Sequence, residues 1–187
     1  MVVFLIGFMG SGKSFLSKKL ASLYNFSVFD LDHEIEVKEG KTINQIFDTF
    51  GEDYFRNIEA LVLRELTDSL TVTESDLIKT KQSQTDFIVI ACGGGTPCFS
   101  GNMEWMNERG LTIWINPKED ILVERLEGEK SQRPLVKGLS HEEIKSFVNQ
   151  KLVARAPFYE QSKITIEDST LSTENFLKLI EHAQDFI

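Results

Sequence analysis

The first 24 residues constrain the fold of this chain more than any other segment. The apolar run at residues 2–6 predicts a buried parallel strand, and residues 13–24 predict a helix with one apolar face. Between them, residues 7–14 read Gly-Phe-Met-Gly-Ser-Gly-Lys-Ser and fit the pattern G-x-x-x-x-G-K-[ST] at every fixed position. Glycines let the backbone N–H groups of such a loop turn toward phosphate oxygens, while Lys13 adds a positive charge and Ser14 a hydroxyl ligand for Mg²⁺. The segment therefore predicts a site for nucleotide phosphates at a helix N-terminus.

Short apolar runs and helical patterns alternate along the rest of the chain. The runs predict strands at 2–6, 26–30, 87–91, 111–115 and 163–167. The helical periodicity predicts helices at 13–24, 32–39, 42–50, 52–70, 101–109, 118–126, 141–154 and 173–186. This alternation is typical of an α/β fold, in which helices cover both faces of a parallel sheet. Since ligands bind beyond the carboxyl ends of such strands, the loops after the first three strands should surround one crevice.

Length, charge and cysteine content limit the possible partners. A chain of 187 residues is expected to form one domain, residues 1–187, with its own core. The formal charge of −9 argues against nucleic acid or an anionic membrane as the main partner, because both attract clusters of Lys and Arg. No apolar stretch is long enough to span a bilayer, and Cys92 and Cys98 are too few for a disulfide framework. We expect a cytoplasmic protein with reduced thiols.

The second predicted strand ends in Phe-Asp-Leu-Asp at residues 29–32. Side chains two residues apart in an extended chain point the same way, so we expect Asp30 and Asp32 on one side of the crevice. Two close carboxylates repel each other unless a cation or hydroxyl donors lie between them. The pair is therefore either part of a site for nucleotide-bound Mg²⁺ or a solvated strand end that caps the next helix.

Two other features also admit a functional and a structural interpretation. Gly93–Gly95 follow the predicted strand at 87–91, and they either let a ligand approach the backbone or form a flexible turn. Arg56 lies four residues after Glu52 and three before Glu59, which also suits ion pairs on a surface helix.

The remaining candidates lie near predicted loops. Arg155 precedes Pro157, which is expected to end or kink its helix and so leave the arginine near an exposed end. Arg133 lies in the segment 127–138, whose glycines and basic residues suit a loop that moves. This arginine either neutralises charge on a transferring phosphoryl group or is a solvated loop charge. The polar segment 71–86 predicts a solvated connection without chemistry.

Taken in order, these motifs resemble the shikimate kinase family. The motifs are the glycine loop at 7–14, Phe29-Asp30-Leu31-Asp32, Gly51-Glu52 with Phe55-Arg56, Gly93–Gly95, Arg133-Pro134-Leu135, and Arg155-x-x-Phe-Tyr. No single motif is specific beyond a P-loop kinase, but the ordered set is highly specific, and the resemblance runs from about residue 2 to about residue 167.

The resemblance implies a fold and a reaction. The fold is a three-layer sandwich with a central five-stranded parallel sheet flanked by helices, as in nucleoside monophosphate kinases. It implies a substrate-binding helical region at about 32–62 and a mobile lid at about 127–138. The reaction is Mg²⁺-dependent transfer of the γ-phosphoryl group of ATP to the 3-hydroxyl of shikimate, on the route to chorismate and the aromatic amino acids. The partners would be ATP and shikimate alone, and the acidic charge is compatible with a monomer.

The resemblance also implies roles for individual residues. The nucleotide would be bound by Gly10, Ser11, Gly12, Lys13, Ser14, Phe15, Arg125 and Arg133, with Arg125 against adenine. The metal would be held by Ser14 and Asp30. The acceptor would be bound by Asp32, Arg56, Arg155, Gly93, Gly94 and Gly95, with Phe47 and Phe55 as pocket walls and Glu59 orienting Arg56. The catalytic residues would be Asp32 as the base, Lys13 and Arg133.

Two positions depart from the family pattern. Phe15 stands where many members have a threonine, so a hydroxyl contact to the α-phosphate would be missing and ATP affinity lower. Cys92 stands before the glycine triplet, in place of the usual Ser or Thr, and is expected to make the site sensitive to thiol reagents.

Two other functions stay open from the residues. A related small-molecule P-loop kinase would share the loop, with gluconate or a nucleoside monophosphate as acceptor, but a monophosphate would need further arginines. A nucleotide-binding regulatory module without turnover would have no use for Asp32, Arg56 and Arg155 together.

Overall fold

The computed structural model describes residues 1–24, 26–76, 87–167 and 172–184. Within these ranges five strands form one parallel sheet. The strands are β1 (Val2–Ile6), β2 (Ser27–Asp30), β3 (Ile88–Ala91), β4 (Leu111–Ile115) and β5 (Ile164–Ile166). Their spatial order is β2-β3-β1-β4-β5, and every neighbouring pair is parallel. The predicted strands and the five-stranded parallel sheet are confirmed, with each strand end within one residue of the prediction.

The helices of the described residues cover both faces of this sheet. They are α1 (Lys13–Tyr24), α2 (Leu31–Glu39), α3 (Ile43–Asp76), α4 (Asn102–Arg109), α5 (Glu119–Gly128), α6 (His141–Tyr159) and α7 (Thr173–Gln184). Strand β1 lies in the middle, so its side chains alternate between two buried layers. Phe4 and Ile6 pack with α2, α3 and α4, whereas Val3 and Leu5 pack with α1 and α7.

Helix α3 differs from its prediction in two ways. The patterns at 42–50 and 52–70 are one element that bends at Gly51, where φ is 81° and ψ is 176°. Only a residue without a Cβ adopts this conformation without strain, so the glycine lets the chain turn between the two helical parts. The helix also continues to Asp76, so the prediction of a connection from residue 71 is wrong for 71–76. The rest of that connection, 77–86, lies outside the described residues.

Pro157 was predicted to end or kink its helix, and the first of these alternatives is wrong. Helix α6 contains Pro157 and runs on to Tyr159. A capping box forms at the other end, because Ser140 and Glu143 exchange side-chain to backbone hydrogen bonds.

The segment 127–138 has more regular structure than a loop. It contains the end of α5 and two short 3₁₀ turns, Lys130–Gln132 and Pro134–Val136. Val136 is fully buried against α5 and α6, which anchors the segment near its carboxyl end. No helix in the described part of the chain is long and apolar enough to cross a membrane.

Candidate active site

The loop between β1 and α1 contains three backbone conformations that only glycine adopts without strain. Gly7, Gly10 and Gly12 have φ angles of 140°, 78° and 106°. A methyl group on Gly7 would lie 2.5 Å from the carbonyl oxygen of Ile115, at the end of β4. The loop therefore lies directly on the carboxyl end of the sheet, where α/β proteins bind ligands.

Lys13 is held inside this loop. Its ammonium group donates hydrogen bonds to the carbonyls of Gly7 at 2.7 Å and Phe8 at 2.9 Å, and its side chain is buried. Burial lowers the pKa of Lys13 to about 8, although the nearby Asp32 carboxylate acts in the opposite direction. The lysine is a positive charge with little water around it, which strengthens its attraction for phosphate oxygens.

Ser14, at the start of α1, and Asp30, at the end of β2, bring two side-chain oxygens together. The Ser14 hydroxyl lies 3.5 Å from Asp30 Oδ2, while Asp30 Oδ1 accepts from the backbone N–H groups of Asp32 and His33. Asp30 thus caps α2 with one oxygen and faces Ser14 with the other. Both predicted alternatives for Asp30 are compatible with this geometry, because a capping carboxylate keeps an oxygen for a hard cation.

Asp32 lies in the same region, on the helix that was predicted at 32–39. It lies in the first turn of α2 and not in an extended strand, so the reasoning from strand alternation was wrong. Burial raises the pKa of Asp32 to about 6, and the carboxylates of Asp30 and Glu59 add to this increase. A carboxylate with this pKa is a suitable proton acceptor near neutral pH.

A cleft of about 570 Å³ lies above these residues. It is lined by every residue predicted for the nucleotide and the metal, and on the acceptor side by Asp32, Gly93 and Gly94. The other predicted acceptor residues, Gly95, Arg56, Arg155, Phe47 and Phe55, do not line this cleft. The cleft therefore brings together mainly the residues that were predicted to bind the nucleotide.

The glycine triplet connects the cleft with the two arginines. A methyl group on Gly95 would lie 2.7 Å from Arg56 Nη2, and one on Gly94 would lie 3.1 Å from Arg155 Nη1. A methyl group on Gly93 would lie 3.1 Å from Asp32 Oδ1. Each glycine thus leaves room for a charged group, so the triplet is more than a flexible turn.

Arg56 is a fixed part of this wall. Its guanidinium donates to Glu59 at 2.8 Å and to Glu52 at 3.1 Å, and only 13% of its side chain is exposed. It also lies 4.2 Å from the ring centre of Phe99 and 4.9 Å from that of Phe55. Both predicted ion pairs exist, but they differ in burial. Glu52 is exposed, as on a surface helix, whereas the Glu59 side chain is only 1% exposed, so the pair of Arg56 with Glu59 is buried.

Arg155 has an unsatisfied donor. Its Nη1 is the buried side-chain nitrogen that, within the described residues, has no hydrogen-bond partner. The guanidinium carbon lies 5.6 Å from the ring centre of Phe8, at the glycine loop. A buried cationic nitrogen without a partner carries a desolvation penalty that an anionic ligand would relieve.

Phe47 and Phe55 stack on each other across the bend at Gly51. Their ring centres lie 4.6 Å apart with an interplanar angle of 35°. Phe55 is 4% exposed and belongs to the core below Arg56, while Phe47 is half-buried. The pair therefore supports Arg56 from the core side.

The two remaining predicted arginines lie at the nucleotide side. Arg125 donates from Nη1 to the carbonyls of Gly10 and Ser11 at 3.0 and 3.1 Å, so it braces the glycine loop from outside. Arg133 is paired with Glu129, at 2.8 Å from Nε and 2.6 Å from Nη2. Both arginines line the cleft.

Three buried polar residues were not assigned a role from the sequence. Thr96 donates to Glu59 at 2.6 Å, Asn102 donates to the Thr96 carbonyl at 3.0 Å, and the Tyr159 hydroxyl donates to the Gly94 carbonyl. The sequence offers one signal for Thr96, its position directly after the triplet, and one for Tyr159, the Arg155-x-x-Phe-Tyr motif. Their partners are distant in sequence, so spacing alone does not identify them.

Phe15 and Cys92, the two departures from the pattern that the sequence resembles, differ in their exposure to solvent. Phe15 is 66% exposed at the edge of the cleft, and Lys19 Nζ lies 4.6 Å from its ring centre. Cys92 is 3% exposed, its sulfur lies 3.8 Å from that of Met106, and burial raises the pKa of its thiol strongly. Burial and the raised pKa argue against the expected sensitivity of Cys92 to thiol reagents, because a buried thiol with a raised pKa forms little thiolate.

Fold and site together define a P-loop kinase of the nucleoside monophosphate kinase-like class. The family model described as shikimate kinase matches residues 9–184. A shikimate kinase of Parabacteroides distasonis is 38% identical over 97% of this chain and 95% of its own length. The chain belongs to the shikimate kinase family, and it is an ATP-dependent phosphotransferase.

Solved structures agree with this membership. The crystal structure of shikimate kinase from Bacteroides thetaiotaomicron has a TM-score of 0.83 and 34% identity, covering 97% of this chain and 98% of that one. Shikimate kinase from Acinetobacter baumannii, solved in complex with shikimate, has a TM-score of 0.75 and 29% identity, covering 98% and 93%.

Proposed function

We propose that this protein transfers the γ-phosphoryl group of ATP to the 3-hydroxyl of shikimate, giving 3-phosphoshikimate and ADP on the route to chorismate and the aromatic amino acids. One observation carries the proposal. Asp32, Arg155 and Arg56 face three successive glycines, so a carboxylate and two guanidinium groups surround one small space. Membership of the shikimate kinase family supports the same acceptor.

The acceptor side matches the chemistry of a hydroxylated carboxylic acid. A guanidinium group pairs with a carboxylate through two parallel hydrogen bonds, so Arg56 and Arg155 suit the carboxylate of shikimate. Arg155 Nη1, which lacks a partner among the described residues, would gain one from this carboxylate. Asp32 suits the hydroxyl groups, and Gly93–Gly95 let the ring approach the backbone.

The donor side requires positioning and charge. Gly10, Ser11 and Gly12 would direct backbone N–H groups to the phosphates, and Lys13 would contact the β- and γ-phosphates. Arg133 would neutralise charge that develops on the transferring group. Phosphoryl transfer needs little further covalent participation from the protein.

Mg²⁺ fits the oxygen ligands at the start of α1. Ser14 and Asp30 would hold it, with Asp30 acting through water. When bound, the ion offsets phosphate charge and fixes the orientation of the phosphates. Sets of three or more His, Cys, Asp or Glu that suit a metal do not occur among the described residues, so phosphate and water oxygens would complete the coordination.

Asp32 would act as the base. With a pKa of about 6, its carboxylate is mostly ionised at neutral pH and would accept the proton of the attacking hydroxyl. The hydroxyl oxygen would then bond to the γ-phosphorus as the bond to the β-phosphate oxygen breaks.

The proposal also includes the organisation of the protein. The chain would act as one domain and as a cytoplasmic monomer, with an acceptor-binding region at 32–62 and a lid at 127–138. The lid would close over the nucleotide and exclude water, which suppresses hydrolysis of ATP.

ADP release in the presence of ATP and Mg²⁺ tests the proposal. The assay compares shikimate with gluconate, AMP and CMP, and with no acceptor. Strong stimulation by shikimate alone is the expected result. Stimulation by gluconate, AMP or CMP would show that the protein is a kinase with an acceptor other than shikimate. ATP binding without turnover on any acceptor would favour a regulatory module.

A further inference from the structure

Two buried hydrogen bonds join Arg56 to the loop after the glycine triplet. Glu59 and Thr96 are both fully buried. Glu59 uses its carboxylate oxygens for different partners, because Oε2 accepts from Arg56 Nη1 at 2.8 Å and Oε1 accepts from the Thr96 hydroxyl at 2.6 Å. A carboxylate held at both oxygens cannot rotate without losing a bond, so its orientation toward Arg56 is fixed.

Thr96 is itself fixed from the opposite side. Its carbonyl accepts from Asn102 Nδ2 at 3.0 Å, and Asn102 Oδ1 accepts from Arg64 Nη1 at 2.9 Å. Arg64 lies on α3, about two turns after Arg56. The loop that carries Thr96 is therefore connected to α3 at two points, directly at Glu59 and through Asn102 at Arg64. These connections keep the hydroxyl of Thr96 in place.

The Thr96 hydroxyl also lies beside the proposed base. A methyl group on Gly93 would lie 3.1 Å from both Thr96 Oγ1 and Asp32 Oδ1, and 3.2 Å from Glu59 Oε1. The charge of Glu59 is one of the causes that raise the pKa of Asp32. The position of the Glu59 carboxylate thus affects both Arg56 and Asp32.

We infer that Thr96 is a positioning residue for the acceptor site: through Glu59, its hydroxyl holds the Arg56 guanidinium in the orientation that binds the carboxylate of the acceptor. This inference rests on the proposed function. Because Thr96 acts through Glu59 and does not line the cleft at the glycine loop, its loss affects the KM for the acceptor and leaves the KM for ATP near its wild-type value.

Thr96→Val keeps the volume of the side chain and removes the donor to Glu59. The expected result is a rise in the KM for shikimate of about tenfold or more, with the KM for ATP changed by less than about twofold. Thr96→Ser keeps the hydroxyl and should restore a KM for shikimate near the wild-type value. If Thr96→Val does not fold, Thr96→Ala removes the donor without adding bulk and is measured in the same way.

Thr67→Val is the matched control. Thr67 is also fully buried on α3, and its hydroxyl donates to the Leu63 carbonyl at 2.8 Å, about three turns beyond Arg56. The same chemical change at this position should leave the KM for shikimate unchanged. An equal rise in the Thr67 variant would attribute the effect to general loosening of α3 and overturn the inference.

A double-mutant cycle separates positioning from packing. In a Glu59→Gln background, adding Thr96→Val should raise the KM for shikimate little further, because the connection to Arg56 is already changed. Full additivity of the two substitutions, or a wild-type KM in Thr96→Val, would overturn the inference alone. Absence of shikimate-dependent ADP release in the wild-type protein would overturn the proposed function and the inference with it.

Discussion

Arg56 and Arg155 face neighbouring glycines of one triplet, but their charges are balanced differently. Arg56 is paired with Glu52 and Glu59, whereas Arg155 Nη1 has no hydrogen-bond partner in the described ranges. The first arginine therefore has carboxylate partners within the fold, whereas the second hydrogen-bonds Tyr159 but has one donor, Nη1, without a partner in the described ranges. Substitution of Arg56 should therefore affect both acceptor binding and the free energy of unfolding, whereas substitution of Arg155 should affect acceptor binding alone.

Substitution of these arginines tests this separation. Arg56→Met and Arg155→Met should each raise the KM for shikimate by about 30-fold or more, since removing one partner of a buried charge pair costs about 2–5 kcal/mol. Arg56→Met should also lower the free energy of unfolding by about 3–5 kcal/mol, because it leaves Glu59 buried without its cation. Arg155→Met should leave that free energy unchanged or raise it. Equal destabilisation in urea unfolding would contradict the difference in partners.

The pH dependence of kcat/KM should be bell-shaped. Activity should rise through pH 6 as Asp32 loses its proton, and fall above pH 8 as Lys13 loses its charge. The measurement is the initial rate of ADP release at low substrate concentration from pH 5 to pH 9.5. An acidic limb near pH 4 would show that the base is a carboxylate with an ordinary pKa.

Asp32→Asn should stabilise the protein at alkaline pH. The pKa of Asp32 in the folded state lies above its unfolded value of 3.8, so the folded protein binds this proton more tightly. The contribution favours folding at low pH, is lost as the pH rises from about 4 to about 6, and leaves a penalty on the order of 2–3 kcal/mol above pH 6. The amide variant should gain this amount at pH 8 and little at pH 4.

Exposed Asp48 offers the control for that measurement, because Asp48→Asn makes the same chemical change on α3. Its free energy of unfolding should be close to wild type at both pH values. If the two variants behave alike, the penalty does not come from the buried carboxylate.

Glu129→Gln should strengthen ATP binding. The Glu129 carboxylate holds the Arg133 side chain, which lies in the proposed lid, and would compete with the phosphates for it. The pair is partly exposed and worth about 0.2–1 kcal/mol, so the Kd for ATP should fall by up to about fivefold. Calorimetric titration with ATP measures this effect. Glu124→Gln removes the same charge from an exposed position of α5 and should change the Kd by less.

Cys92 should resist alkylation in the folded protein. Its thiol is buried and its pKa is raised, so the reactive thiolate is scarce. In a Cys98→Ser variant, iodoacetamide should label the protein only after denaturation, as measured by mass spectrometry. Rapid native labelling would show that the core around Cys92 opens frequently.

Local patterns were sufficient to predict most of the fold. The alternation of apolar runs and helices identified the five strands of the described residues, and the glycine loop with Lys13 and Ser14 lies where it was predicted, at the cleft beyond the carboxyl ends of the strands. These predictions succeeded because strand burial and loop geometry depend on neighbouring residues. Pro157 misled the prediction for α6, because the wider packing of a helix can override a local helix breaker.

The acceptor side was harder to derive from the residues. Strand alternation gave the wrong geometry for Asp32, because the strand ends at Asp30 and a helix begins at once. The bond between Glu59 and Thr96 joins residues 37 positions apart, and no periodicity carries that information. The fit of Gly95 against Arg56 depends likewise on where two separate elements meet.

The glycine triplet sets a limit on how this protein can be re-engineered or can diverge. A wall made of backbone has no side chains to exchange. A Cβ added at Gly95 would lie 2.7 Å from Arg56 Nη2, and one at Gly94 would lie 3.1 Å from Arg155 Nη1, so in either case a guanidinium would have to shift. We therefore expect new specificities at the proposed acceptor site to arise on the facing elements, α2, α3 and α6, which carry Asp32, Arg56 and Arg155. Libraries that randomise those helices and leave residues 93–95 untouched search the productive part of sequence space.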